Sequence, residues 1–138
     1  ALTGAPEVLA AESILEKAPR GALTDRGDDG FVVPLAPVIR GVAAALNAGA
    51  SAAELSARVH RTLLDIFVAS APEAAPRTGR KTIVLGGGVF QNEILMRQTA
   101  RLLTEAGLTV HRPTLVPAND GAVSLGQAAV ARARQGQG

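Results

Sequence analysis

Apolar positions along this chain follow two periods. Behind Ser51 they recur as Leu55, Val59, Leu63, Ile66 and Phe67, one face of a helix. Ser51 with Glu54 three residues later has the form of a capping box. Val8, Leu9, Ile14 and Leu15 give a similar face over 5–18, with Pro6 in the first turn and Pro19 as the stop. A further helix is expected from about Val38 to Asn47, entered through Pro34 and Pro37 and left at Gly49. Residues 20–30 are rich in Gly and Asp and read as a solvated loop. Phe31-Val32-Val33 reads as a short strand. The stretch 70–81, with Pro72, Pro76 and Gly79, reads as a polar linker.

The second half switches between the two periods in a regular order. Thr82-Ile83-Val84-Leu85 is a β-branched run closed by three glycines, as expected of a buried strand entering a tight loop. A helix follows from about Asn92 to Ala106 and stops at Gly107. Leu108-Thr109-Val110-His111 is a second strand, 113–119 a loop, and 120–133 a helix of small residues. Strand, glycine loop, helix, strand, loop, helix predicts an α/β fold with a mostly parallel sheet and helices packed over it.

Composition narrows the class. The 138 residues match one domain, and 47% hydrophobic with 19% charged residues excludes wholesale disorder. Aromatic residues are 2%, so the core must be built from Ala, Val, Leu and Ile. The net charge is +2 and the pI about 9.9, but Lys and Arg are scattered without interleaved aromatics, and no nucleic-acid partner is expected. With no cysteine, disulfides, a thiol nucleophile and thiolate metal sites are excluded. No apolar run reaches a membrane span and no signal pattern opens the chain, so a cytoplasmic protein without membrane contact is expected. The start at Ala1 suggests an excised or processed piece, although removal of an initiator Met alone would also explain it. One partial domain over 1–138 is expected, with 1–50 a less defined lead-in and 134–138 a frayed tail.

The chemistry gathers in two loops. A strand that runs into Gly86-Gly87-Gly88 and then a helix offers backbone N–H groups and a positive helix end at the carboxyl edge of the sheet, where phosphates bind. Asn92, near the helix start, can cap the backbone or donate to a ligand. The loop has neither the Lys-Ser/Thr of a P-loop nor the G-x-G-x-x-G spacing. A tight strand-to-helix turn also wants glycine, and spacing alone leaves both readings open. Asn119-Asp120-Gly121 follows the second strand in the same way, and Asp120 can cap the last helix or project a carboxylate toward a cation. His60 and His111 lack a common metal-ligand spacing. His60 reads as a packed or surface histidine.

Val84-Leu85-Gly86-Gly87-Gly88-Val89-Phe90-Gln91-Asn92, Val116-Pro117-Ala118-Asn119-Asp120-Gly121 and Leu125-Gly126-Gln127-Ala128 closely resemble the carboxy-terminal end of the HypF carbamoyltransferases of [NiFe]-hydrogenase maturation. Ala57 to Leu63 matches a further, weaker pattern. The resemblance covers roughly the last 85 residues, in order. The family usually has Ser where Gly86 stands and Gly where Ala122 stands. It is similar to the tRNA threonylcarbamoyl-adenosine enzymes and to antibiotic O-carbamoyltransferases. The resemblance implies the carboxy-terminal lobe of an actin/sugar-kinase-like (ASKHA) fold.

It further implies that Gly86, Gly87, Gly88 and Asn92 line a pocket for ATP or carbamoyl adenylate, and that Asp120 is a ligand of a divalent metal, zinc or iron. The complete enzyme takes carbamoyl from carbamoyl phosphate with ATP and passes it to a carboxy-terminal cysteine of a HypE-like acceptor. The His-x-x-x-His metal pair expected from the preceding lobe is not in this sequence. The chain is therefore expected to hold half of a site, inactive alone, with the amino-terminal lobe or a second copy as partner. An antibiotic O-carbamoyltransferase or other lobe of the same fold is the alternative of the same class. A non-catalytic docking module is the alternative of another class.

Overall fold

The computed structural model describes residues 24–25 and 31–136. The helix expected over 5–18 lies outside them. Strand β1 (Thr24–Asp25) pairs antiparallel with β2 (Phe31–Val32), Thr24 opposite Val32 and Asp25 opposite Phe31. The expected solvated loop thus contains a strand, because ladder pairing satisfies backbone groups whatever the polarity of the side chains.

Helix α1 (Ala36–Asn47) starts two residues earlier than expected, with Pro37 in its first turn, and Gly49 takes φ 85° just beyond its end. Helix α2 is the largest departure from the sequence reading. It runs from Ala52 to Thr78, 27 residues or roughly 40 Å at the α-helical rise, and absorbs the expected linker. Ser51 caps it by accepting from the Glu54 N–H at 3.2 Å. The return half of the capping box is not made, because the Glu54 carboxylate pairs with Arg58 at 2.7 Å instead. Pro72 removes one ladder hydrogen bond, yet the helix continues through it. Val68 and Ala71 on this turn pack into the core, and the Ser70 hydroxyl donates to the Ile66 carbonyl at 2.7 Å. Tertiary burial overrides the local penalty. The stop comes at Gly79, left-handed at φ 65°.

The parallel sheet of the sequence reading is a pair, β3 (Thr82–Val84) and β4 (Thr109–His111), in register Thr82 to Thr109, Ile83 to Val110 and Val84 to His111. They are joined through a 3-10 turn at Gly88–Gln91 and helix α3 (Glu93–Glu105), which packs against α2 and β4. Buried Ala71, Leu85, Met96 and Leu103 form the core, with Ile83 and Val110 facing it from the sheet. The alternation that turns Ile83 inward leaves Val84 on the other face, 72% exposed. A second 3-10 turn (Asp120–Ala122) leads into α4 (Val123–Gln135), none of whose residues is buried. The helix extends to Gln135, so the tail expected from 134 starts no earlier than 136.

Candidate functional site

Both strands of the parallel pair end toward the same edge, and the loops that leave them meet there. Leu85, 4% exposed, extends the ladder by donating its N–H to the His111 carbonyl at 2.9 Å. The chain then turns through Gly86 and Gly87. Gly87 sits at φ 95°, a conformation in which an L side chain is strained, so glycine here is a backbone requirement. Its N–H donates to the Ala118 carbonyl at 2.6 Å, which ties the glycine loop to the segment before Asp120. Among the described residues, no atom beyond each glycine's own chain neighbours lies within 4 Å of where a Cβ would stand on Gly86, Gly87 or Gly88.

The Gly87 bond corrects one element of the sequence reading. A phosphate cradle using the Gly87 N–H is not on offer, because that donor is already committed. Among the described residues, the N–H groups of Gly88 and Val89, which open the 3-10 turn, have no acceptor within it. The turn is closed by Phe90 N–H to the Gly87 carbonyl and Asn92 N–H to the Val89 carbonyl, both 3.1 Å. The 3-10 turn fills the stretch between the glycines and the helix expected from about Asn92, and sets where Asn92 stands.

Asn92 caps α3. Its Oδ1 accepts from the N–H groups of Ile94 at 3.1 Å and Leu95 at 3.2 Å. Its Nδ2 lies 2.8 Å from Nε2 of His60, a residue 32 positions earlier on α2. Nδ1 of that histidine lies 2.8 Å from the Ser56 carbonyl. His60 is thus packed, as expected, but against a site residue, a role the sequence reading missed. Its place in the helical stripe with Leu63 and Phe67 is the signal that could have located it. Phe67, two turns further along the same face, meets Phe90 with ring centroids 5.2 Å apart and planes tilted by 41°.

At the second loop the cap belongs to Asn119, whose side chain accepts from the Gly121 N–H at 3.0 Å. A Cβ on Gly121 would meet Asn119 Oδ1 at 3.1 Å and Pro117 Cγ at 3.2 Å, so a side chain here would push both neighbours by a few tenths of an ångström. Asn119 leaves the carboxylate of Asp120 exposed and without a hydrogen bond or ion pair among the described residues. No group of three or more His, Asp or Glu gathers there that could hold a metal ion. One carboxylate does not make a metal site, so the described residues do not by themselves fit a metal. Three arginines are paired along their own helices, Arg58 with Glu54, Arg61 with Asp65 and Arg101 with Glu105. No helix among the described residues is long and apolar enough to cross a membrane.

Comparison with known proteins places this geometry. The family model described as "Carbamoyltransferase, Kae1-like Domain, second subdomain" matches residues 7–127. The chain is 38% identical over 109 residues to carbamoyltransferase HypF2 of Cupriavidus necator, covering 79% of this chain and 13% of that protein. It is 31% identical over 87 residues to a tRNA N6-adenosine threonylcarbamoyltransferase of Bordetella petrii, covering 63% of this chain and 25% of that one. A crystal structure of full-length HypF in its phosphate- and nucleotide-bound form superposes with a TM-score of 0.73 at 29% identity, over 91% of this chain and 16% of that one. The likeness agrees with the α/β lobe expected from the strand and helix order.

Proposed function

We propose that this chain, which belongs to the HypF carbamoyltransferase family through the second subdomain of its Kae1-like domain, forms one wall of a carbamoyl-adenylate site. The observation that carries the reading is the Gly87 to Ala118 hydrogen bond, which sets the glycine loop and Asp120 side by side at the carboxyl edge of the sheet. Nucleotides bind at such edges in open α/β sheets.

In this reading Gly86, Gly87 and Gly88 give the backbone room to approach a phosphate, and the N–H groups of Gly88 and Val89 donate to it. Asn92 closes the pocket at the start of α3. The reaction is attack on the carbamoyl carbonyl of the adenylate: a bond forms from the acceptor to carbon, the bond from carbon to the phosphate oxygen breaks, and AMP leaves. The acceptor is the carboxy-terminal cysteine of a HypE-like protein, and the adenylate is made from carbamoyl phosphate and ATP. What this wall contributes is positioning and stabilisation of charge on phosphate oxygens. Asp120 is one ligand of a divalent metal completed by residues outside this set, which would supply Lewis acidity and a template.

The chain spans 13% of the HypF2 relative; in this reading the whole reaction needs further protein, and this chain alone is expected to be inactive. Asp120→Ala in the full-length protein is expected to abolish carbamoyl transfer while thermal unfolding stays within about 0.5 kcal/mol, the usual range for a surface substitution. Retained transfer would remove Asp120 from the site. Turnover by this chain without further protein would overturn the half-site reading.

A further inference from the structure

The Asn92 carboxamide is oriented without reference to any ligand. Two backbone N–H groups point at its Oδ1, which fixes the oxygen on the helix side and the amide nitrogen on the side of His60. An amide nitrogen only donates, so Nε2 of His60 must present its lone pair. The imidazole proton is then on Nδ1, and Nδ1 faces the Ser56 carbonyl, which only accepts. All four contacts are satisfied by one tautomer of one neutral ring.

We infer that His60 is a positioning residue: as the neutral Nδ1–H tautomer it locks the Asn92 carboxamide so that Asn92 offers a ligand one N–H and no acceptor. This rests on the nucleotide reading of the site and deepens it. With both lone-pair directions of Oδ1 used by α3, and one Nδ2 proton used by His60, a single donor remains. The ligand atom that meets Asn92 is therefore a hydrogen-bond acceptor, such as a ring nitrogen, a ribose oxygen or a phosphoryl oxygen of a nucleotide.

Helix α2 grips the loop at two points. His60 holds Asn92 at the end of the 3-10 turn and Phe67 holds Phe90 inside it, from one helix face two turns apart. The open donors of Gly88 and Val89 are carried by the same short turn. Displacing His60 would move the Asn92 donor and release one of the two grips.

The test uses four variants of the full-length protein carrying this chain: His60→Leu, His60→Gln, which keeps an acceptor for Asn92, Asn92→Ala, and the double variant His60→Leu with Asn92→Ala. Calorimetry with ATP as the probe is expected to show affinity reduced about five- to tenfold in His60→Leu, the size of one lost hydrogen bond, and largely restored in His60→Gln. In an Asn92→Ala background, His60→Leu is expected to cost nothing further, since residues that act through one another are not additive. Additive losses, or unchanged affinity in His60→Leu, would overturn the inference.

Long-range nitrogen-proton correlation spectra of the labelled protein read the tautomer directly, and an Nε2–H ring would also overturn it. That spectrum needs no ligand and no substitution. Failure of the unmutated protein to bind ATP would thus sink the nucleotide reading and the ligand consequence drawn from it, whereas the wrong tautomer would sink the His60 lock alone.

Discussion

A buried hydroxyl shows how a residue's own chemistry can work against the fold. Thr99 on α3 is fully buried and its Oγ1 has no hydrogen-bond partner among the described residues. An unsatisfied buried polar group costs about 1–3 kcal/mol, and an apolar group of the same shape removes that cost. Thr99→Val is expected to stabilise the chain by about 1 kcal/mol in urea titration, seen as a higher midpoint at constant slope. A lower midpoint would reveal a partner for the hydroxyl. Gly87 is the opposite case, since its φ of 95° strains any L side chain, a reason visible in one residue's backbone.

Among the elements, α2 and the glycine loop differ in how far their sequences foretell them. The start of α2 at Ser51, the start of α3 at Asn92 and the stops near Gly49 and Gly107 are written in cap chemistry within a few residues, and the structure places them there. The continuation of α2 past Ser70 is not written locally. Two prolines argued for a linker, and burial of Val68 and Ala71 against residues from β3 and α3 outweighed them. Pro72 is exposed and interior to the helix, so Pro72→Ala restores a donor toward the Val68 carbonyl. The expected gain is about 2 kcal/mol, the helix-interior penalty of proline less its benefit in limiting the unfolded chain. A loss of stability would mean that proline at this turn is required for α2 to reach both α3 and the loop.

For the molecule as a whole, the uneven burial points outward. Leu125 and Val130 on α4 and Val84 on the sheet are exposed, as is Leu115 at 96%, whereas Leu103 at 1% marks a dense centre around α2, α3 and β4. Parallel sheets are ordinarily covered on both faces, yet the Val84 and His111 face of this one is bare. Apolar surface of this kind marks an interaction face. The chain alone is accordingly expected to associate as its concentration rises, read by light scattering, and Leu125→Glu is expected to weaken that association by tenfold or more, as about 1.4 kcal/mol of lost burial would. Association unaffected by Leu125→Glu would take α4 out of the contact. Indifference of the association to ATP would favour docking over a nucleotide-filled cleft.

The sequence by itself determined the kinds of elements, their caps and the two loops that carry the candidate chemistry. Those depend on glycine φ, cap side chains and apolar period, all of which act within a turn or two. The tertiary structure decided three further matters: which donors of the loop are free, that α2 outlasts its prolines, and that His60 sets Asn92. Each depends on contact between segments far apart in the chain, Gly87 with Ala118, Ala71 with Leu85 and Met96, and His60 with Asn92. A local pattern holds no record of such contacts, because the free energy that fixes them is gained only when the segments have met.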